Sequence, residues 1–308
     1  MDQNESTKIS IIIVTWNSKN DVIRCIDSIL KYETNIEIIV VDNDSSDGTV
    51  KALYEYNNLG VVKVFALKKN LGFSKANDFG YRNATGSKIL FLNPDTYFIE
   101  KGLDELSNRL DNEIGMIGCK LLNEDRTLQP SIFKFDSPFN IMMEQFQLGK
   151  LLPEFLKRKL SPNYSKHNKI MNVDWLVGAF LLLSKEDCDA IGGFSTDYFM
   201  YAEDMDIAYK IHKIGKKVVF NPCYSIVHVG GSSEKQDVNS TKKQKMFQSR
   251  KKFSDKYGFN NMNVFYFAYV LKYIIFSFLG MFGEKFKTKS KNYKKTLSII
   301  NKTMEKSV

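Results

Sequence analysis

The chain has 308 residues, 43% of them hydrophobic, and a net charge of +9. That length and composition exclude a disordered or fibrous protein and suit one large domain, or one domain with an appendage. The opening MDQNESTK has no apolar core, so no secretory leader is expected, and the four cysteines form no CxxC pair, which excludes a disulfide framework and favours a reducing cytosol.

In chain order, ISIIIV (Ile9–Val14) is a continuous β-branched run of the kind found in buried parallel strands. A helix follows in NDVIRCIDSILKY, with Ile23, Ile26, Ile29 and Leu30 on one face. IEIIVV (Ile36–Val41) is a second strand, TVKALYEY a second helix and VKVFAL (Val62–Leu67) a third strand. A third helix starts near Gly72 and ends before Gly86, and KILFLN (Lys88–Asn93) is the fourth strand. This alternation predicts an α/β fold with a parallel sheet between helices, and such sheets bind ligands beyond the carboxyl ends of their strands. The four segments at those ends are TWNS, DNDSSDGT, KKNLGFSKAN and NPDT. Each is rich in Asn, Asp or Gly, as turns are; four at one sheet edge point to a site.

Residues 123–170 are less regular and read as an insertion or acceptor-side region. Pattern returns in VDWLVGAFLLLS (Val173–Ser184), a short helix Lys185–Ile191, the run FMYAEDMDIAYK (Phe199–Lys210), the short strand KKVVFNP and then YSIVHVGGSS. The charge is concentrated at the C-terminus: residues 235–308 hold 17 Lys and Arg against 4 Asp and Glu, whereas residues 1–234 hold 27 against 31. Within that basic tail, Val264–Phe282 is a 19-residue apolar run with one charge, Lys272, near its middle. A central Lys costs about 2.5–3.5 kcal/mol on insertion, and a span would put one basic flank outside. The expectation is therefore a helix or hairpin lying on the anionic cytoplasmic leaflet, with a buried helical lid and a true span as the alternatives.

Candidate chemistry rests on carboxylates, amides and one histidine. No GxGxxG, GxxxxGK[ST] or GxSxG occurs, which argues against a dinucleotide Rossmann site, a P-loop NTPase and an α/β-hydrolase. Asp95, on a Pro-held turn past the fourth strand, suits a hard divalent cation, although NPDT is also a good Asx turn. His228 is either a second ligand or a structural histidine; His167 and His212 are expected to be exposed. Asp42, at the end of the second strand, is placed to accept a hydrogen bond from a base or ribose, and Asp47 only to turn and cap. Glu203, Asp204 and Asp206 start a helix whose apolar face is Ile207, Ile211 and Ile214. The helix dipole and a pairing with Lys210 account for Asp206. They leave unexplained why Glu203 and Asp204 follow an aromatic run, where a carboxylate could serve as general base.

As an ordered set these motifs, TWN, VDNDSSDGT, KNLGFSKANDFG, FLNPDT, GAFLLLS, GGFSTDYFMYAEDMDIAYKIHKIG and HVGGSS, resemble family 2 glycosyltransferases with the GT-A fold, and within them the rhamnosyltransferase-like branch. The resemblance covers about residues 8–233. It implies a mixed, mostly parallel sheet flanked by helices: a catalytic domain over 1–233, with a nucleotide-sugar half at 8–122 and an acceptor half at 123–233. A helical, membrane-associating region over 234–308 would follow. It also implies roles. Thr15, Asn17, Asp42 and Asp44 would bind base and ribose, with Asn70, Gly72, Phe73 and Asn77 continuing that pocket. Asp95 and His228 would hold Mg or Mn. Asp204 would be the catalytic base, with Glu203 beside it, and Trp175, Gly178 and Ala179 would wall the sugar and acceptor site. The family's usual DxD carries Asn93 at its first position here, which reduces the carboxylates available to a metal.

The reaction so implied is an inverting, non-processive transfer, since no QxxRW occurs. The sugar, rhamnose from dTDP-rhamnose, would pass from a nucleotide-diphosphate donor to a polyprenyl-diphosphate-linked glycan at the inner face of the plasma membrane, in O-antigen, capsule or cell-wall synthesis. A UDP-sugar donor and a non-catalytic nucleotide-sugar-binding or scaffold protein are the alternatives. Nucleic acid is not expected as a partner, because no base-reading module is present; a homodimer is left open.

Overall fold

A computed structural model describes residues 8–57, 60, 62–230 and 239–305. In chain order its elements are β1 (Ile9–Thr15), α1 (Lys19–Tyr32), β2 (Ile36–Asp42), α2 (Thr49–Asn57), β3 (Val62–Ala66), α3 (Phe73–Arg82), β4 (Lys88–Leu92), β5 (Thr96–Phe98), α4 (Leu103–Ser107) and β6 (Ile114–Leu122). Then come β7 (Leu128–Gln129), β8 (Ile132–Phe133), α5 (Pro138–Gln145), α6 (Glu154–Leu160), β9 (Met171–Val173), β10 (Trp175–Leu176), β11 (Phe180–Ser184) and α7 (Lys185–Ile191). The last are α8 (Glu203–Lys213), β12 (Lys217–His228), α9 (Asn239–Tyr257), α10 (Met262–Leu279) and α11 (Glu284–Glu305). The chain divides into two compact units, residues 1–133 with 166–236 and residues 134–165 with 237–308. The segment 134–165, read from sequence as part of the acceptor half, thus packs with the C-terminal helices.

The first unit is an α/β sheet in the order β3-β2-β1-β4-β11-β6-β12-β5. β1, β2, β3 and β4 are parallel, as the strand–helix alternation predicts, and β12 is parallel to β6. β11 enters antiparallel between β4 and β6, which makes the sheet mixed. Every residue of β1 and β2 is buried. At about 1.5–3 kcal/mol per fully buried aliphatic side chain, these two strands anchor the sheet. Helix α1 buries Val22, Cys25, Ile26 and Ile29, one position round from the face expected.

Two features of this sheet set the site. KKVVFNP and YSIVH are one strand, β12, with a register shift between Asn221 and Ser225. Pro222 cannot donate to a ladder, and Asn221 Oδ1 accepts the Cys223 N–H at 3.0 Å within the irregularity. The far end of β12 then pairs antiparallel with β5, putting His228 opposite Thr96. His167, expected to be exposed, is fully buried: its Nε2 lies 3.4 Å from the Ser131 N–H and its ring packs edge-on against Phe220.

The second unit is helical. Its core is Ile141, Phe247, Met262, Phe265 and Ile300. Helix α11 folds back along α10 through Ser277–Ser290 (2.6 Å) and the Phe276 and Tyr269 contacts with Tyr293. Arg250 holds the buried Asp136 carboxylate at 2.8 and 2.9 Å. Lys272 turns inward: its Nζ donates to Gln145 Oε1 at 2.8 Å and sits over the rings of Tyr269, Tyr293 and Phe146. Burial lowers its pKa to about 8. Met262–Phe282 is long and apolar enough to cross a membrane. Phe267, Ile274, Ile275, Phe278, Met281 and Phe282 are exposed along it.

Candidate active site

The carboxyl ends of β1 to β4 lie at one edge of the first unit, and hydrogen bonds stitch their loops together. Asn17, at φ +48, accepts the Ser46 N–H on its Oδ1 at 2.8 Å, and its own N–H donates to Ser45 Oγ at 2.8 Å. Thr15 Oγ1 is buried against Ser18 Oγ at 2.8 Å. Asp44 is an exposed turn residue at φ +73. Asp47 bonds the Thr49 and Lys19 N–H groups, the turn and cap role expected of it. Asp42 is different. It is fully buried, its Oδ1 accepts the Ser45 N–H at 3.0 Å, and its Oδ2 has no partner among the described residues. A buried oxygen left unbonded costs about 1–3 kcal/mol, so a carboxylate kept in that state is a natural acceptor for a ligand N–H or O–H.

Asn43, which the sequence reading passed over, joins two of these loops. Its Nδ2 donates to Asn70 Oδ1 at 3.0 Å and its Oδ1 accepts the Leu71 N–H at 2.8 Å. Asn70 Oδ1 also accepts the Gly72 N–H. The side chain of Asn77 bonds within α3, to Phe73 O at 3.1 Å. Gly72 has φ +84, and a Cβ there would lie 2.6 Å from Phe199 O. That contact is fixed by the Phe73 N–H, which donates to Phe199 O at 2.7 Å. The loop after β3 is in this way locked to the run that carries Glu203 and Asp204.

That run is held from below by Asp206. Capping and Lys210 (3.8 Å) are the lesser part of its role: fully buried, it accepts Ser195 Oγ at 2.5 Å and Tyr198 OH at 3.0 Å. Tyr201 and Ala202 enter α8 at φ +72 and +64. Left-handed backbone costs a non-glycine residue about 1–2 kcal/mol, so the turn that presents α8 is imposed by its surroundings. The two carboxylates after it differ sharply. Glu203 is buried with Oε2 unpartnered among the described residues, and burial together with the Asp204 charge pushes its pKa up to about 8. Asp204 is half-buried; its Oδ1 accepts the Met205 N–H at 2.8 Å and its Oδ2 the Gly178 N–H at 3.2 Å.

Gly178 and Ala179 link that carboxylate to the NPDT turn. The Ala179 methyl is in the hydrophobic core, and its carbonyl accepts the Asn93 N–H at 3.1 Å. Trp175 is nearly buried, stacked on Phe133 at 4.7 Å. Asn93 O also accepts Thr96 Oγ1 at 2.8 Å, so NPDT forms a hydrogen-bonded turn. Asp95 Oδ1 lies 3.3 Å from His228 Nε2, and Asn93 Nδ2 is 3.3 Å from the same nitrogen. Among the described residues no group of three His, Cys, Asp or Glu surrounds a cation position. A carboxylate oxygen and an imidazole nitrogen at this separation nonetheless fit two ligands of one cation, and the mixed O/N set suits Mn²⁺ better than Mg²⁺. Beyond His228, Gly230 has φ +70, and residues 231–233 of the expected motif lie outside the described residues. Gln129, also passed over, brackets His228: its Oε1 is 2.6 Å from Nδ1 and its Nε2 3.1 Å from His228 O.

The chain is similar to rhamnosyltransferase WbbL of Escherichia coli K12, at 25% identity over 71% of this chain and 83% of that protein. It is also similar to the N-acetylglucosaminyl-diphospho-decaprenol L-rhamnosyltransferase of Mycobacterium tuberculosis, at 24% identity over 74% and 78%. Among solved structures, the mannosyltransferase PcManGT of Pyrobaculum calidifontis, in complex with GDP-Man and Mn²⁺, superposes with a TM-score of 0.63 at 15% identity, covering 100% of this chain and 90% of that one. That likeness supports the fold, a GT-A α/β architecture. The model for glycosyl transferase family 2 matches residues 10–177, more than half of the chain, from Ser10 in β1 to the residue before the Gly178 amide that holds Asp204. This chain is a glycosyltransferase and belongs to family 2.

Proposed function

We propose that the chain catalyses an inverting, non-processive transfer of rhamnose from dTDP-rhamnose to a lipid-linked saccharide in cell-surface polysaccharide synthesis. The observation that carries the reading is the half-exposed Asp204 carboxylate, held by the Gly178 N–H one residue from the backbone contact that positions Asn93 and the Asp95–His228 pair. Asp204 takes the proton of an acceptor hydroxyl as that oxygen bonds to the anomeric carbon and the bond to the donor diphosphate breaks. Glu203, kept protonated by burial, leaves Asp204 as the anionic member of the pair. Asp95 and His228 would hold a divalent cation, which supplies positive charge for the departing diphosphate. Asp42 Oδ2 would accept the base N–H, and Asn43 and Asn70 keep the adjoining loops in register.

Rhamnose and the lipid-linked acceptor rest on the two rhamnosyltransferase relatives, one of them named for a decaprenol-linked acceptor. A panel of nucleotide sugars with a polyprenyl-diphosphate saccharide tests both. dTDP-rhamnose should be turned over fastest, with the anomeric configuration inverted in the product. Preference for a UDP-sugar would replace the donor, and retained configuration would refute the mechanism.

The acceptor implies work at the cytoplasmic membrane face. The inward-turned Lys272 removes the one charge that would meet lipid, and the exposed Phe278, Met281 and Phe282 precede the lysines of α11. An apolar edge beside basic residues suits the anionic leaflet, lying on it rather than crossing it. Phe278→Glu with Phe282→Glu should release the chain from anionic vesicles; unchanged sedimentation would sink this placement.

A further inference from the structure

The orientation of His228 is set by a chain of hydrogen bonds that starts at an exposed turn. In the β6–β7 connection, Thr127 Oγ1 donates to Asp125 Oδ1 at 2.5 Å, because an ionised carboxylate only accepts. Its single proton used, Thr127 Oγ1 must accept from Asn123 at 2.9 Å, so the amide nitrogen of Asn123 faces it. Asn123 Oδ1 therefore faces Gln129, whose amide nitrogen donates to it at 3.0 Å and to His228 O at 3.1 Å. Every acceptor in the series is fixed, so Gln129 Oε1 is the atom at 2.6 Å from His228 Nδ1. A carbonyl oxygen cannot donate, and the proton lies on Nδ1. In the neutral ring the Nε2 lone pair is then directed to the side of Asp95 Oδ1, 3.3 Å away. The Asn93 amide nitrogen, 3.3 Å from the same Nε2, donates to that lone pair, and a cation bound beside Asp95 would take its place.

We propose that Gln129, oriented by this Asp125–Thr127–Asn123 series, is a positioning residue that keeps a proton on His228 Nδ1 and turns Nε2 toward Asp95 and Asn93, where a divalent cation would be held. This rests on reading Asp95 and His228 as the cation pair. The partner of a ligating histidine's second nitrogen fixes tautomer and ring angle, and its loss costs about 10–100-fold in metal affinity. Nothing in the spacing of Gln129, ninety-nine positions from His228, announces this role.

The test uses the full chain, which has 3 histidines, so that His228→Gln assigns the His228 signals directly. Two-bond ¹⁵N–¹H NMR without metal, at about pH 8.5 where an ordinary imidazole is neutral, should find His228 protonated on Nδ1. A signal from the Nε2–H form in the unaltered chain would overturn the proposal without any variant. Mn²⁺ titration followed by EPR supplies the second readout. Gln129→Leu should mix the tautomers and weaken Mn²⁺ binding about 10–100-fold. Gln129→Glu, which keeps an acceptor against Nδ1, should restore both. Gln129→Leu with an intact Nδ1–H signal and unchanged Mn²⁺ affinity would refute the positioning role. Mn²⁺ affinity equal in the unaltered chain and in His228→Gln would remove His228 from the cation pair, while the NMR signal still decides the tautomer.

Discussion

The loops after β1, β2 and β3 and the turn joining β4 to β5, with α8 beside it, occupy one sheet edge but use their polar residues in opposite ways. In the first group Asn17, Asn43, Asn70 and Asn77 spend their side chains on neighbouring backbone or on each other, and one oxygen, Asp42 Oδ2, has no partner among the described residues. In the second, backbone amides hold the carboxylate: the Gly178 and Met205 N–H groups on Asp204. Side chains that bind a large, many-contact ligand can be shared among loops. A group that must move a proton has to be held rigidly while one face stays accessible. The first region should therefore respond to substitution in affinity and stability, the second in turnover.

The largest effect belongs to Asp204→Asn, which should lower turnover by about 10²–10⁴-fold, the usual contribution of a general base. Asp42→Asn should leave the maximal rate near that of the unaltered chain and raise the donor KM about 10–100-fold, as for a lost hydrogen bond to a charged acceptor. A fall in maximal rate of the same size would erase the contrast between the regions. Asn43→Ala leaves the Leu71 N–H unmatched and removes one of the two donors to Asn70 Oδ1; it should cost about 1–3 kcal/mol of stability, read as a drop in Tm with a modest rise in donor KM. The remaining effect is in pH dependence. Glu203 keeps its proton to about 8 when folded against an ordinary value of 4.5. The folded chain thus binds a proton that the unfolded chain has lost across that window. Its contribution to stability is full below pH 4.5 and is lost as pH rises through about 8. Glu203→Gln should flatten that part of the Tm–pH curve; an unchanged slope would mean that Glu203 is ionised.

Most of the sheet was legible because parallel strands buried on both faces leave long β-branched runs, as in Ile9–Thr15 and Ile36–Asp42. The order of polar loops at the strand ends was legible for the same reason, since alternation fixes which end of each strand they follow. What was hidden depends on pairing between distant segments. β12 looked like one short strand, KKVVFNP, because Pro222 interrupts its ladder, and the pairing of β5 with β12 that brings Asp95 to His228 leaves no local pattern. Gln129 and Asn43 act through hydrogen bonds to residues far along the chain, and glutamine or asparagine in a turn has ordinary local reasons to be there. His167 has basic neighbours in sequence, yet its ring is buried against Phe220. Asp206 looked like a helix-dipole residue, and only the fold reveals Ser195 and Tyr198 on its carboxylate.

The central claim is that Asp204 moves a proton and does not bind donor. Calorimetric titration of nucleotide sugar into the unaltered chain and into Asp204→Asn, in Mn²⁺, tests it directly. The account predicts donor Kd values within about twofold of each other while turnover differs by at least about 100-fold. A donor affinity that falls in proportion to turnover would make Asp204 a donor-binding residue and contradict the account.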